Sequence, residues 1–212
     1  MYKLLTALGT AVPVSGLHIS DKLRREFIRK AIHLLVAFVP YLAWVNKPLT
    51  MAALACGTLF YVFSEALRLQ GSPVLLVADI TILASRDGDR GRFVLGPVTL
   101  GLGAMLALLL YPEPAATIAV YALAFGDSFA SIVGMSFGRR RIPFTRGKTI
   151  AGSLACFLGV YLSCLLVTGD HGFALLIALV STVLEAIPTG DLDNLLIPVG
   201  AGLVADILTL LA

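Results

Sequence analysis

Charge is scarce in this chain. Only 14% of its 212 residues are Asp, Glu, Lys or Arg, against about a quarter in soluble domains, while 58% are hydrophobic and the mean hydropathy is +0.92. The deficit is not confined to one anchor. Apolar runs fill nearly the whole length, and no stretch of about 60 residues is left that could close around a water-soluble core. A separate soluble catalytic domain within these residues is thereby excluded, and the composition is that of a single-domain, all-α, polytopic integral membrane helix bundle. Cysteine is equally sparse. Cys56, Cys156 and Cys164 lie inside apolar runs without CxxC or Cys/His spacing, which points to neither a disulfide framework nor a zinc site. A secretory leader is not expected either. Residues 1–20 carry one lysine, a short apolar stretch and Pro13, but the following SGLHIS has no small-x-small cleavage pattern and runs into a basic cluster. Residues 1–22 are expected to form an interfacial or partly inserted helix.

A helix needs roughly 20 apolar residues to cross about 30 Å of hydrocarbon. That ruler predicts about seven transmembrane helices, over residues 27–46, 50–67, 93–110, 115–137, 150–167, 172–187 and 195–211. Residues 74–84 are too few and include Asp79, so they read as a short interfacial or re-entrant helix. Pro40 is tolerable where neighbouring helices satisfy the freed backbone groups.

The few charges are unevenly shared. With the N-terminus placed in the cytoplasm, that face collects Lys3, Lys22, Arg24, Arg25, Arg29, Lys30, Arg68, Arg86, Arg90, Arg92, Arg139, Arg140, Arg141, Arg146 and Lys148, which leaves Lys47 alone opposite. Among carboxylates only Glu113, Asp170 and Asp206 fall on the outer side. Orientation bias accounts for a basic loop, but not for carboxylates and a histidine at membrane depth, which are costly and usually line a site.

Residues 125–153 are the most informative segment. Asp127, Ser131, Gly134 and Gly138 recur at i, i+4, i+7 and i+11, so a carboxylate, a hydroxyl and two bare backbone patches share one helical face. Gly126, Ala130, Gly134 and Gly138 also form a small-xxx-small series suited to close helix contact. That series explains the glycines but not Asp127. A loop with Arg139, Arg140, Arg141, Arg146 and Lys148 follows, then Thr149, Gly152 and Ser153 at the start of the fifth span. Cations, hydroxyls and glycines at a helix N-terminus suit a polyphosphate, and Asp127 would hold the accompanying Mg²⁺. The Gly147-Lys148-Thr149 triplet is not a Walker A end, because the required first glycine is Ile142 and no strand precedes it.

Three further groups fall on the same face. Lys30 and His33 lie one turn apart in the first span, Glu65 and Arg68 likewise in the second, and Glu185, Asp191, Asp193 and Asn194 cluster between the sixth and seventh. Each has a structural alternative: a snorkelling lysine, a hydrogen-bonded core histidine, a local i,i+3 ion pair, a helix cap.

At these residues the chain resembles the membrane-embedded CTP-dependent kinases of lipid alcohols, the phytol kinase, dolichol kinase and diacylglycerol kinase group. The motifs are Arg29-Lys30-x-x-His33; Gly126-Asp127-x-x-Ala130-Ser131-x-x-Gly134-x-x-Phe137-Gly138; Lys148-Thr149-x-x-Gly152-Ser153; and Asp193-Asn194-x-x-x-Pro198. Ala151 stands where many members have glutamate, and Leu192 replaces the first aspartate of a D-D-N motif, with Asp191 displaced by one. The resemblance implies transfer of the γ-phosphoryl group of CTP to a lipid alcohol (phytol, geranylgeraniol, polyprenol, dolichol or diacylglycerol) at the cytoplasmic face of the cell membrane. Asp127 and Asp193 would be the Mg²⁺ ligands. Lys148, Arg139 and the Gly152–Ser153 backbone would hold phosphates, with Lys30, Ser131, Gly134, Gly138, Thr149 and Asn194 completing the nucleotide site. His33, Glu65 and Asp193 remain alternatives for general base. Two rivals share parts of the pattern: a CTP:phosphatidate cytidylyltransferase, which would release pyrophosphate, and a small transporter with Asp127 as its coupling-ion site.

Overall fold

The computed structural model describes residues 15–85, 89, 91–145 and 147–211; the side chains of 15–20 are outside that description. Residues 1–14, and with them Lys3 and most of the expected N-terminal segment, lie outside the described residues, as do Arg86, Arg90 and Arg146. Nine α-helices make up the described chain: α1 (Ser15–Leu35), α2 (Val39–Leu69), α3 (Leu75–Ala84), α4 (Gly96–Leu110), α5 (Ala115–Tyr121), α6 (Asp127–Phe137), α7 (Ile150–Thr168), α8 (His171–Ala186) and α9 (Asp193–Leu211). Among the described residues there is no strand, only one isolated bridge between Arg141 and Thr149. Residues 15–22 are the first turns of α1 rather than a separate element.

Four helical segments are long and apolar enough to cross a membrane: Asp21–Leu69, Ala115–Phe137, Ile150–Thr168 and Gly190–Leu211. The two expected spans 27–46 and 50–67 thus fall in one helical run, but Asn46 breaks it with φ −157° and ψ 93°. The Asn46 side chain accepts from Leu49 N at 3.0 Å, capping a new helix start two residues before Pro48. Arg25 and Arg68 line one and the same cavity. In a straight helix they would stand about 65 Å apart, so the chain turns back at Asn46, with α3 packed against both α1 and α2. The expected spans 93–110 and 172–187 are helices of only 15 and 16 residues, short of the 20 that the ruler asks for. Residues 74–84 form the short α3 as expected, packed against α1 and α2 with Asp79 exposed.

Alanine makes the centre narrow. Ala104, Ala107, Ala116, Ala119, Ala201 and Ala205 are buried where α4, α5 and α9 meet, and α5 continues into α6 through a π-helical turn, Ala122–Gly126. An i→i+5 turn shifts the helical register, and it ends at Asp127. The α6–α7 contact uses the small residues expected of it. A Cβ on Gly152 would stand 2.6 Å from the carbonyl oxygen of Ala130, and one on Gly138 2.5 Å from Thr149 Oγ1. On the far side of the bundle α7 ends at Gly169 in the left-handed region, and Asp170 caps α8 by accepting from Gly172 N and Phe173 N.

The α4–α9 seam is equally close: a Cβ on Gly103 would lie 2.0 Å from the Asn194 carbonyl oxygen. Backbone cannot yield as a side-chain tip can, so Gly103→Ala should destabilise the bundle by about 2 kcal/mol. Thermal unfolding in detergent should show the midpoint falling by several degrees.

Candidate active site

The helix ends described above surround a cavity of ≈ 460 Å³. Asp127, Ser131 and Gly134 of α6 form one wall, Thr149, Gly152 and Ser153 at the head of α7 another, and Lys148, Glu185 and Asp193 close it. The i, i+4, i+7 face of α6 therefore serves two neighbours, since Gly134 meets α7 while Asp127 and Ser131 meet the cavity.

Asp127 is 2% exposed and Lys30, on α1, is likewise 2% exposed; the two form an ion pair across the helices. His33, one turn further along α1, brings Nδ1 to 3.1 Å from Asp127 Oδ2, without the alignment of a hydrogen bond. Ser128 adds a long contact, its Oγ donating to Lys30 O at 3.4 Å. In a low-dielectric setting neither Lys30 nor Asp127 could remain charged alone, so α1 and α6 are held together at this point.

Lys148 forms the second ion pair, with Glu185 of α8. Burial lowers the pKa of the Lys148 ammonium, but the Glu185 carboxylate outweighs it and leaves that pKa raised. Lys148 is delivered by the loop after α6, which doubles back on itself. Ile142 N donates to Lys148 O at 2.8 Å, Ile150 N to Arg140 O at 3.1 Å, and Thr145 Oγ1 to Ile142 O at 2.8 Å. Gly147 has φ +102°, a conformation that favours glycine.

One expectation needs correcting. Three N–H groups at the head of α7 are already committed: Ile150 N to Arg140 O at 3.1 Å, Gly152 N to Thr149 Oγ1 at 3.1 Å, and Ser153 N to Thr149 O at 2.9 Å. Thr149 acts as N-cap, and the Gly152–Ser153 backbone is not free to cradle phosphate. What faces the cavity instead is side-chain oxygen. Ser153 Oγ and Glu185 Oε2 are buried without a hydrogen-bond partner, and buried orphans of this kind call for a ligand. With Asp127 and Asp193 the wall carries oxygen donors of the type Mg²⁺ accepts.

Other expected residues lie elsewhere. Glu65 is 1% exposed, but both its oxygens are engaged away from this cavity, by Arg68 Nε and Nη2 at 2.7 Å each and by Val94 N at 2.9 Å. The local i,i+3 pair is the correct reading there. Asn194 joins helices, donating to Thr99 Oγ1 at 3.0 Å and Gly96 O at 3.3 Å. Arg139 is exposed and absent from the cavity wall, and Gly138 contributes to the α7 contact. Glu26 and Arg29 line the cavity; Arg29 stands in the first motif, whereas only its i,i+3 pairing to Arg29 could have marked Glu26.

No protein-family model and no solved structure matches the chain. Curated relatives do. A wheat (Triticum aestivum) protein named as a probable chloroplastic phytol kinase is 32% identical over 142 residues, covering 58% of this chain and 47% of its own length. A maize (Zea mays) protein of the same name is 26% identical over 96% of this chain and 76% of its own, and an Arabidopsis thaliana chloroplastic farnesol kinase is 31% identical over 61% and 43%. The chain is homologous to phytol and farnesol kinases. It spans about half the length of the wheat and Arabidopsis proteins.

Breaking the Lys148–Glu185 pair leaves a buried carboxylate uncompensated. Lys148→Met should therefore destabilise by about 2 kcal/mol, and adding Glu185→Gln should restore most of the loss. Denaturation of the single and double variants checks the coupling.

Proposed function

We propose that the protein transfers the γ-phosphoryl group of CTP to the hydroxyl of a membrane lipid alcohol, giving the lipid monophosphate and CDP. The observation that carries the reading is the meeting of Asp127, Lys148, Ser153 and Asp193 on one cavity, together with relatives named as phytol and farnesol kinases. CTP as donor rests on the motif resemblance.

Phosphoryl transfer asks for positioning and charge neutralisation more than for covalent chemistry. Lys148 supplies a cation to phosphate oxygens, and the Ser153 hydroxyl can donate to one. Asp127 and Asp193 would hold Mg²⁺, which supplies charge neutralisation at the β- and γ-phosphates. The acceptor oxygen forms a bond to the γ-phosphorus as the bond to the β–γ bridging oxygen breaks; the electron pair leaves on CDP. The hydroxyl proton passes to His33 or Asp193, the candidates near the cluster.

The cavity opens on the cation-rich face, which positive-inside bias assigns to the cytoplasm. A seven-span topology is supported by the reversal at Asn46, with α4 and α8 as the two short crossings. The relatives' names place them in the chloroplast, so the expected plasma-membrane location has no support from them.

Asp127→Asn and Lys148→Ala should each lower turnover by about a hundredfold, as loss of transition-state charge stabilisation does. Purified variants assayed for CDP and lipid monophosphate, formed one to one, check both. Near-normal rates would make the cavity a packing feature; pyrophosphate and a CDP-lipid as products would favour the cytidylyltransferase reading.

A further inference from the structure

A second, much narrower cavity of ≈ 40 Å³ lies between α1, α3 and α4. Ile32, Ala84, Pro97 and Leu100 give it an apolar wall, and His33 and Arg29 form a polar end. Arg29 lines both cavities, and His33 stands against Asp127, so the two spaces adjoin the same ion-paired cluster from different sides. Size separates their occupants: a water needs about 10–15 Å³ by this measure, so the narrow cavity admits a hydroxymethyl group and little more, never a triphosphate. Here His33, Arg29, Asp89 and Asp191 offer both donors and acceptors, which suits a hydroxyl that can do both.

We infer that this cavity receives the hydroxyl-bearing end of the lipid alcohol, so that donor and acceptor reach the Asp127 cluster through separate openings. The inference rests on the kinase reading for its chemistry, and on geometry alone for its location. An in-line transfer needs the acceptor oxygen opposite the leaving group, an arrangement that approach from two sides of one cluster permits. The lipid tail has a surface to follow: α3 lines the cavity through Thr81 and Ala84, and its Leu76 and Ile82 are 73% and 56% exposed.

A farnesol analogue carrying a diazirine on the carbons next to the hydroxyl tests the location without turnover. Irradiated with the membrane-reconstituted protein, it should label peptides containing Ile32, Ala84, Pro97 or Leu100, and excess farnesol should compete. Labelling confined to other helices would overturn the inference. In kinetics, Ala84→Phe should raise KM for farnesol about tenfold while the Kd for CTP, from equilibrium dialysis, stays within twofold; Leu100→Ala, which removes bulk, should lower discrimination against wider alcohols. Equal changes toward both substrates, or none in either variant, would also overturn it. Competed labelling at these residues without phosphate transfer to any alcohol would uphold the lipid site and refute the kinase reading instead.

Discussion

Lys30 and Asp127 meet where neither has water, and the chain is arranged around that meeting. An isolated charge in such a place costs several kcal/mol, so removing either partner strands the other. The pair therefore ties α1, otherwise a peripheral helix, to α6 at one register. The π turn before Asp127 sets the carboxylate's direction, and the small residues of α6 let α7 approach closely enough for its Thr149 cap and Ser153 hydroxyl to share a cavity with it. Loss of the pair would loosen the first helix and the site together.

The second pair joins Lys148, partly open to water, to the buried carboxylate of Glu185. It holds the loop lysine against α8, while one Glu185 oxygen and the Ser153 hydroxyl have no hydrogen-bond partner. A site with spare oxygen donors beside a cation is poised for an anion that brings its own metal. On the proposed reading, the arrangement would place neutralising charge before a nucleotide arrives, which is where electrostatic preorganisation acts.

Much of this was legible in the sequence. Hydrophobic length marked the helices, and the i, i+4, i+7 spacing put Asp127 and Ser131 on a common face that does line the cavity. Loop composition marked Lys148 and Thr149. What the sequence could not show is long-range: that Lys30 answers Asp127 across 97 positions, or that Lys148 finds Glu185 across 37. Placement on that face does not by itself put a residue in the cavity. Asn194 and Glu65 stand among the polar signals of the same face, yet one joins α9 to α4 and the other braces Val94, because hydrogen bonding within the bundle consumed them. The Gly152–Ser153 backbone fails as a phosphate cradle for a similar local reason, its donors being taken by the Thr149 cap. The span expected over 93–110 is realised as the shorter α4, packed against α2, α5 and α9.

The central claim is that donor phosphates sit beside Lys148. Amine acylation followed by peptide mapping measures that directly, with exposed Lys47 near the helix break as the internal control. The account predicts that CTP with Mg²⁺ protects Lys148 from modification while Lys47 reacts unchanged. Equal reactivity of Lys148 with and without nucleotide, in protein that still phosphorylates a lipid alcohol, would contradict it.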